Sequence, residues 1–240
     1  MSENILNGQL KAWKRKPCLR FLYKQWFELI ISELTSGMAL EVGAGIGQFK
    51  EFIQEAITLD IEKTSWSDVT GDAQYLPVKS DCLGNLVLFD VLHHIPSPKQ
   101  FFTEAIRALK PGGRILIMDP YISPLSYLVY QYFHPEAVDT ECDPLRVKQV
   151  CSDIPFDSNQ AVATILFFKK QSVFKKIFPE LQILKSQRLA LLAYPLTGGF
   201  GGKQLLPDRL IKLISSLETK FKFISPLLAF RTFIVLEKHV

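Results

Sequence analysis

The loop Glu41-Val42-Gly43-Ala44-Gly45-Ile46-Gly47, which follows an apolar run, constrains this chain more than any other feature. Glycine lacks Cβ and tolerates positive φ, so a strand ending on such a loop can lay its backbone directly against a ligand. A second apolar stretch, Ala56-Ile57-Thr58-Leu59, ends on the carboxylate of Asp60. A glycine loop after one strand and an acid after the next is what a nucleoside-binding α/β unit requires. Dinucleotide sites space their glycines Gly-x-Gly-x-x-Gly and hold pyrophosphate at a helix N-terminus. Here the spacing is Gly-x-Gly-x-Gly, and Glu41 precedes it. A carboxylate there disfavours pyrophosphate and suits a ligand carrying an ammonium or sulfonium. Taken alone, the loop is equally well a tight strand-to-helix turn.

The surrounding pattern alternates. Apolar runs predict strands at 38–42, 57–60, 68–70, 85–89 and 114–118, with helices over 48–55 and 98–109. Such runs separated by helices indicate a parallel sheet covered on both faces. Ligands in these sheets lie at the carboxyl ends of the strands. Residues 43–47, Asp60, 90–96 and 119–121 all fall there, so four segments converge on one crevice. Upstream, Pro17 and the helically spaced Leu19, Leu22, Trp26, Ile30 and Leu34 predict a helix stopping at Gly37. Downstream, the pattern predicts a helix at 124–133, an aperiodic stretch from 134 to 156, a helix at 161–175, a strand at 189–194, a helix at 207–221 and a strand at 232–237.

With 240 residues, 48% hydrophobic and 22% charged, the chain can bury one good core. No segment reaches the roughly 18 uninterrupted apolar residues of a membrane helix. The nearest, 224–236, contains Pro226 and Arg231. The N-terminal region lacks the pattern of a signal peptide, so a cytoplasmic location is expected. Cys18, Cys82, Cys142 and Cys151 have no metal-ligand spacing and are expected to be reduced. Zinc is not expected, because only His93 and His94 are close and adjacent residues rarely converge on one metal. The basic residues Lys11, Lys14, Arg15, Lys16, Arg20 and Lys24 suit a patch for RNA or anionic lipid, or more commonly a solvated helix face.

From about Met38 to Pro120 the chain resembles the class I S-adenosylmethionine-dependent methyltransferases, in the group that includes quinone-type and small-molecule enzymes (methyltransferase type 11). The matching segments are Glu41 to Gly47, Leu59-Asp60-Ile61, Gly71-Asp72-Ala73, Leu76-Pro77-Val78, Val91-Leu92-His93-His94 and Leu109-Lys110-Pro111-Gly112-Gly113-Arg114. The resemblance implies an α/β, Rossmann-like, doubly wound fold. Its sheet would be mostly parallel and seven-stranded, with helices on both faces and a helical insertion after the fifth strand. It also implies a single domain over 1–240: an N-terminal helical cap (1–37), a cofactor-binding core (38–120), a helical lid (121–180) and the end of the sheet (181–240). The implied cofactor is S-adenosylmethionine. Gly43, Ala44, Gly45 and Gly47 would approach its methionine part, with Glu41 beneath. Asp60 would accept from the ribose hydroxyls. Ile61 would pack on adenine, Asp72 would accept from its amino group, and the Ala73 N–H would donate to the ring. Phe89 and Asp90 would border the methionine end, and 110–113 would be a structural turn.

Each role has a plainer rival. Asp60 could cap a helix, and Asp72 could form an Asx turn. His93 and His94 are catalytic candidates, but a histidine after a buried strand is often hydrogen-bonded structure. Asp119 and His134 are further candidate bases. Substrate candidates lie after the fifth strand: Tyr121, Tyr127, Tyr130, His134 and Gln160, with Ser158 a polar group or a helix cap. The tyrosines could equally be core. Phe156, Phe167, Phe168, Phe174 and Phe178 suggest an apolar lid and an apolar or aromatic small-molecule acceptor, or simply core packing. An Asp/Asn-Pro-Pro-aromatic run is absent after the fourth strand, which argues against DNA bases as acceptors. The reading is methyl transfer by in-line displacement, driven mainly by positioning. The alternative is an S-adenosylmethionine-binding scaffold with little catalysis. A nicotinamide oxidoreductase fits the glycine spacing poorly.

Overall fold

In the computed structural model, which describes residues 2–134, 136–146 and 158–239 and only the backbone of Ser2 and Glu3, seven strands share one sheet. They are β1 (Ala39–Val42), β2 (Ile57–Asp60), β3 (Val69–Thr70), β4 (Leu83–Phe89), β5 (Leu109–Pro120), β6 (Leu181–Leu189) and β7 (Arg231–Lys238). Their order is β3-β2-β1-β4-β5-β7-β6. The first five are parallel, and β7 runs antiparallel to both β5 and β6. The order reverses at β1, which lies between β2 and β4, and this opens the crevice where such sheets bind ligands.

Successive side chains on a strand point to opposite faces, and the central strands are buried on both. Leu86, Leu88, Ile115, Ile117, Ile234 and Leu236 join one core cluster. Val87, Leu116, Met118, Phe233 and Val235 join the other. The first face is covered by α3 (Pro98–Ala108) and by α5 (Val162–Thr164) and α6 (Gln171–Ile177), with Phe102, Phe167 and Phe174 fully buried. The second is covered by α1 (Ser2–Arg15), α2 (Pro17–Ile31), α7 (Ala193–Leu196) and α8 (Asp208–Glu218). Burying each of these large apolar side chains contributes roughly 1.5–3 kcal/mol. Helix α4 (Pro124–Phe133) begins with a reciprocal cap: the Ser126 N–H donates to Ser123 Oγ and the Ser123 N–H to Ser126 Oγ. The short α9 (Ser225–Leu228) precedes β7.

Three local expectations change. The predicted helix at 48–55 is only a 3₁₀ turn, Phe49–Glu51. Gly43, Gly45 and Gly47 all hold positive φ, so few residues remain to return the chain to β2. A 3₁₀ turn, rising about 2.0 Å per residue, spans that return better than an α-helix. The predicted helix at 161–175 is broken by a π turn at Ile165–Lys169, where the Lys170 N–H donates to the Ile165 carbonyl. There the clustering of Phe167 and Phe174 on Phe102 outweighs helix regularity. The strand predicted at 189–194 instead ends at Leu189, because Ala190 adopts φ 58°. The true strand, β6, was hidden by inverted polarity. Leu184 is exposed, while Lys185 pairs with Glu33 and lies over the Phe233 ring. Phe156, Asp157 and Cys151 lie outside the described residues.

The N-terminal basic cluster is not uniformly solvated. Lys16 is buried, and its ammonium donates to the carbonyls of Thr197, Gly199 and Gly202 at 3.1, 2.6 and 2.7 Å. It thereby ties α2 to the glycine loop after α7. Lys16→Met should destabilise the fold by about 2–3 kcal/mol, since charge-assisted bonds and their buried acceptors are lost together. A shift under 1 kcal/mol in urea unfolding would assign the loop's order to its own turns.

Candidate active site

The carboxyl ends of β1 and β2 supply the first group of residues. Only one of the three loop glycines faces open space. A Cβ on Gly43 would meet Val91 Cγ2 at 2.3 Å, and one on Gly47 would meet Trp66 Cδ1 at 2.8 Å. Gly43 and Gly47 are therefore needed for packing. At Gly45 a Cβ would meet nothing within 4 Å, which leaves the backbone open to a ligand. The Gly45 N–H donates to Asp60 Oδ2 at 3.3 Å, and the Glu62 N–H donates to Asp60 Oδ1 at 3.0 Å. Asp60 is thus aimed across the loop with acceptor capacity left over. Burial raises its pKa.

Glu41 sits beneath this loop. It is buried, and its Oε2 has no hydrogen-bond partner among the described residues. Burial, and then nearby Asp60, push its pKa well above the usual carboxylate range. An orphaned buried carboxylate oxygen is costly unless a donor or cation completes it. Ile61 leaves a large apolar surface exposed, 55%, beside Asp60. Asp72 forms the Asx turn that its sequence context also allowed, accepting from the Gln74 N–H at 2.8 Å, and Ala73 is half-buried beside it.

The ends of β4 and β5 supply a second group. Asp90 follows β4 with φ 56°, a conformation uncommon for a non-glycine residue. Arg231, at the head of β7, grips it with two parallel hydrogen bonds, one of 2.8 Å from Nη2 to Oδ2. The guanidinium is buried among the rings of Trp26, Tyr194, Phe89 and Tyr23, at 4.7, 4.6, 5.4 and 5.8 Å from their centroids. Phe89 is therefore part of this aromatic box. Arg231 was not among the candidates. Its signal was a lone cation inside the apolar run 224–236.

Nearby, His93 is buried on the 3₁₀ turn Leu92–His94. Its Nδ1 lies 2.8 Å from Asp119 Oδ1 and its Nε2 lies 3.5 Å from Glu136 Oε2. Burial alone would lower its pKa, but the two carboxylates win and raise it to about 10. Against the effect of its own burial, Glu136 is held below the usual carboxylate range by His93. Ser158 and Gln160 also donate to Glu136. Donor atoms of His93, His94 and Glu136 lie within 4.8 Å of one another, so the adjacent histidines do converge with a third ligand type.

The substrate candidates separate. Gln160 is buried at Glu136. Ser158, just ahead of it, is not a helix cap, because α5 starts at Val162. Tyr121 is buried against Phe168 and Arg188. Tyr130 is buried, with its hydroxyl donating to the Phe230 carbonyl at 3.0 Å. His134 is exposed with its ring against Tyr130, and Tyr127 points to solvent. The tyrosine hydroxyls the pattern drew attention to are thus engaged in packing or turned outward.

Residues 40–117 match the family model described as a methyltransferase domain. This segment, which runs from β1 into β5, is similar to a methyltransferase domain. An S-adenosylmethionine-dependent methyltransferase from Thermotoga maritima covers 100% of this chain and 99% of its own, with 16% identity and a TM-score of 0.52. The Haloferax volcanii chain solved with the Trm112 methyltransferase activator covers 90% and 91%, with 12% identity and a TM-score of 0.52. At those identities the likeness is one of fold. An uncharacterized protein of Methanocaldococcus jannaschii is 30% identical over 40% of this chain and 51% of its own. The chain therefore spans about half the length of that curated relative. S-adenosylmethionine is the cofactor that this similarity implies. Two features of the chain fit it: the unmatched Glu41 oxygen and the open face of Gly45.

Proposed function

We propose that this chain transfers a methyl group from S-adenosylmethionine to a small-molecule acceptor. The observation that carries this reading is the buried Glu41 carboxylate, whose Oε2 has no partner among the described residues, beneath a loop whose only open glycine, Gly45, is bonded to Asp60. Such a site takes a cationic nucleoside and rejects a pyrophosphate. The cofactor, when bound, supplies a methyl group already activated on a sulfonium. Glu41 and the Gly45 backbone would hold its amino-acid part, Asp60 its ribose, and Ile61, Asp72 and Ala73 its adenine. Asp90, locked by Arg231, would shape the wall where the methyl group meets the acceptor.

With His93 protonated at neutral pH, this residue ties Glu136 to Asp119 and is not a free base. Positioning is then the main contribution of the protein, a term that can reach roughly 7–11 kcal/mol. The single-domain layout, with 121–180 covering the acceptor, belongs to the same proposal. Phe167 packs on Phe102 and Phe174, and Phe168 on Tyr121, so these rings belong to the core and the acceptor is proposed only as a small molecule.

Asp60→Ala should weaken S-adenosylmethionine binding by about 1.5–3 kcal/mol, the scale of hydrogen bonds to a charged group. Calorimetry on the folded variant checks this, and unchanged affinity would remove Asp60 from the ribose site. Binding without turnover across O-, N- and C-nucleophile acceptors would favour a cofactor-binding scaffold instead.

A further inference from the structure

We propose that the outer face of α8 and the segment leading to α9 form a docking surface for an anionic lipid bilayer. Helix α8 is amphipathic, but it buries only Ile211 and Ser215 fully. Leu210, Leu213 and Leu217 are exposed by 47, 54 and 41%. Their spacing of three and four residues places them on one side of the helix. Just beyond the helix, Phe221, Phe223 and Leu227 are exposed by 46, 77 and 58%, and the two phenylalanine rings adjoin. A concentration of exposed large apolar side chains on a folded chain marks an interaction site.

The charges beside it select the occupant. Arg209 borders the exposed leucines on the helical wheel, Lys220 follows the end of the helix, and Lys222 stands between the two phenylalanines in the sequence; all three are exposed. The acidic residues of this segment are turned away. Glu218 accepts from the backbone N–H groups of Leu191, Leu192 and Ala193, and Asp208 accepts from Gln204. The outward charge is therefore basic. A second copy docking through the same patch about a two-fold axis would set these cations against one another. A negative lipid surface neutralises them while the leucine and phenylalanine side chains enter the acyl boundary, as interfacial helices do. No helix among the described residues is long and apolar enough to cross a membrane, so this contact would lie on the bilayer. Its place is functional: α9 runs directly into Arg231, whose guanidinium holds Asp90 in the candidate site.

The test is flotation of the full chain with vesicles of phosphatidylcholine, with and without phosphatidylglycerol. The protein should float with the anionic vesicles and release as salt is raised. Lys220→Glu with Lys222→Glu should weaken partitioning at least about thirtyfold, at the usual contribution of a basic residue near such a surface. Leu213→Ser with Phe223→Ser should abolish it while circular dichroism stays unchanged, because both side chains are exposed. Failure of the folded wild type to float overturns the proposal. So does a wild-type dimer in light scattering that the Leu213→Ser, Phe223→Ser variant dissociates. Neither readout depends on S-adenosylmethionine, so the result stands apart from the methyl-transfer reading.

Discussion

Arg231→Ala should lower the unfolding free energy by about 3 kcal/mol, the lower end of the cost of removing one partner of a buried ion pair, because the guanidinium is buried while Asp90 is partly exposed. Asp90 would lose both guanidinium bonds beside Phe89. Its left-handed backbone, costing about 1–3 kcal/mol, would lose the clamp that holds it. Arg231→Lys should rescue little, because an ammonium cannot make the parallel pair or stack in the aromatic box. Arg231→Met combined with Asp90→Asn should recover much of the loss, since no uncompensated charge remains. Chemical denaturation of the three variants decides it. A single-variant loss under 1 kcal/mol would mean that water replaces the guanidinium at the partly exposed Asp90 and that the box does not hold it.

The second large effect is a pH dependence carried by His93. Its folded pKa, about 10, lies above the ordinary value of 6.5. A raised folded pKa contributes stability that is complete below the unfolded value and lost as pH rises through the folded one. The wild type should therefore lose on the order of 3–5 kcal/mol between about pH 6.5 and 10. His93→Gln should flatten that decline and be less stable at neutral pH. Glu136, held low by the same contact, contributes at the opposite end: its share is present above the usual carboxylate value and lost on acidification. Equal pH slopes in wild type and variant would show that His93 is neutral in the folded state and that Asp119 and Glu136 are not both its partners.

Much of the first five strands was legible in the sequence because their constraints are local. A glycine that must hold positive φ, an acid that must end a strand, and an apolar run that must be buried on both faces each leave a mark within a few residues. The β1 to β4 boundaries followed closely, while β5 begins at Leu109 and takes in the 110–113 stretch expected to be a turn. The misjudged elements were those whose character depends on distant partners. Lys185 reads as a solvent position until Glu33 and the Phe233 ring are placed beside it. Lys16 reads as one cation in a basic run until three carbonyls from the 197–202 loop close on it. His93 reads as a candidate base until two carboxylates, one from β5 and one from beyond α4, turn it into a cation.

The amino-acid sequence by itself determined the parallel sheet, its glycine loop and the acidic residues that suit a sulfonium nucleoside, because backbone conformation and strand burial are set by near neighbours. Only the tertiary structure decided which glycine is open, that Glu41 Oε2 has no partner among the described residues, that Arg231 locks Asp90, and that α8 turns leucines outward. Each of those depends on atoms brought together across the sheet from distant parts of the chain, and electrostatics and packing act through space.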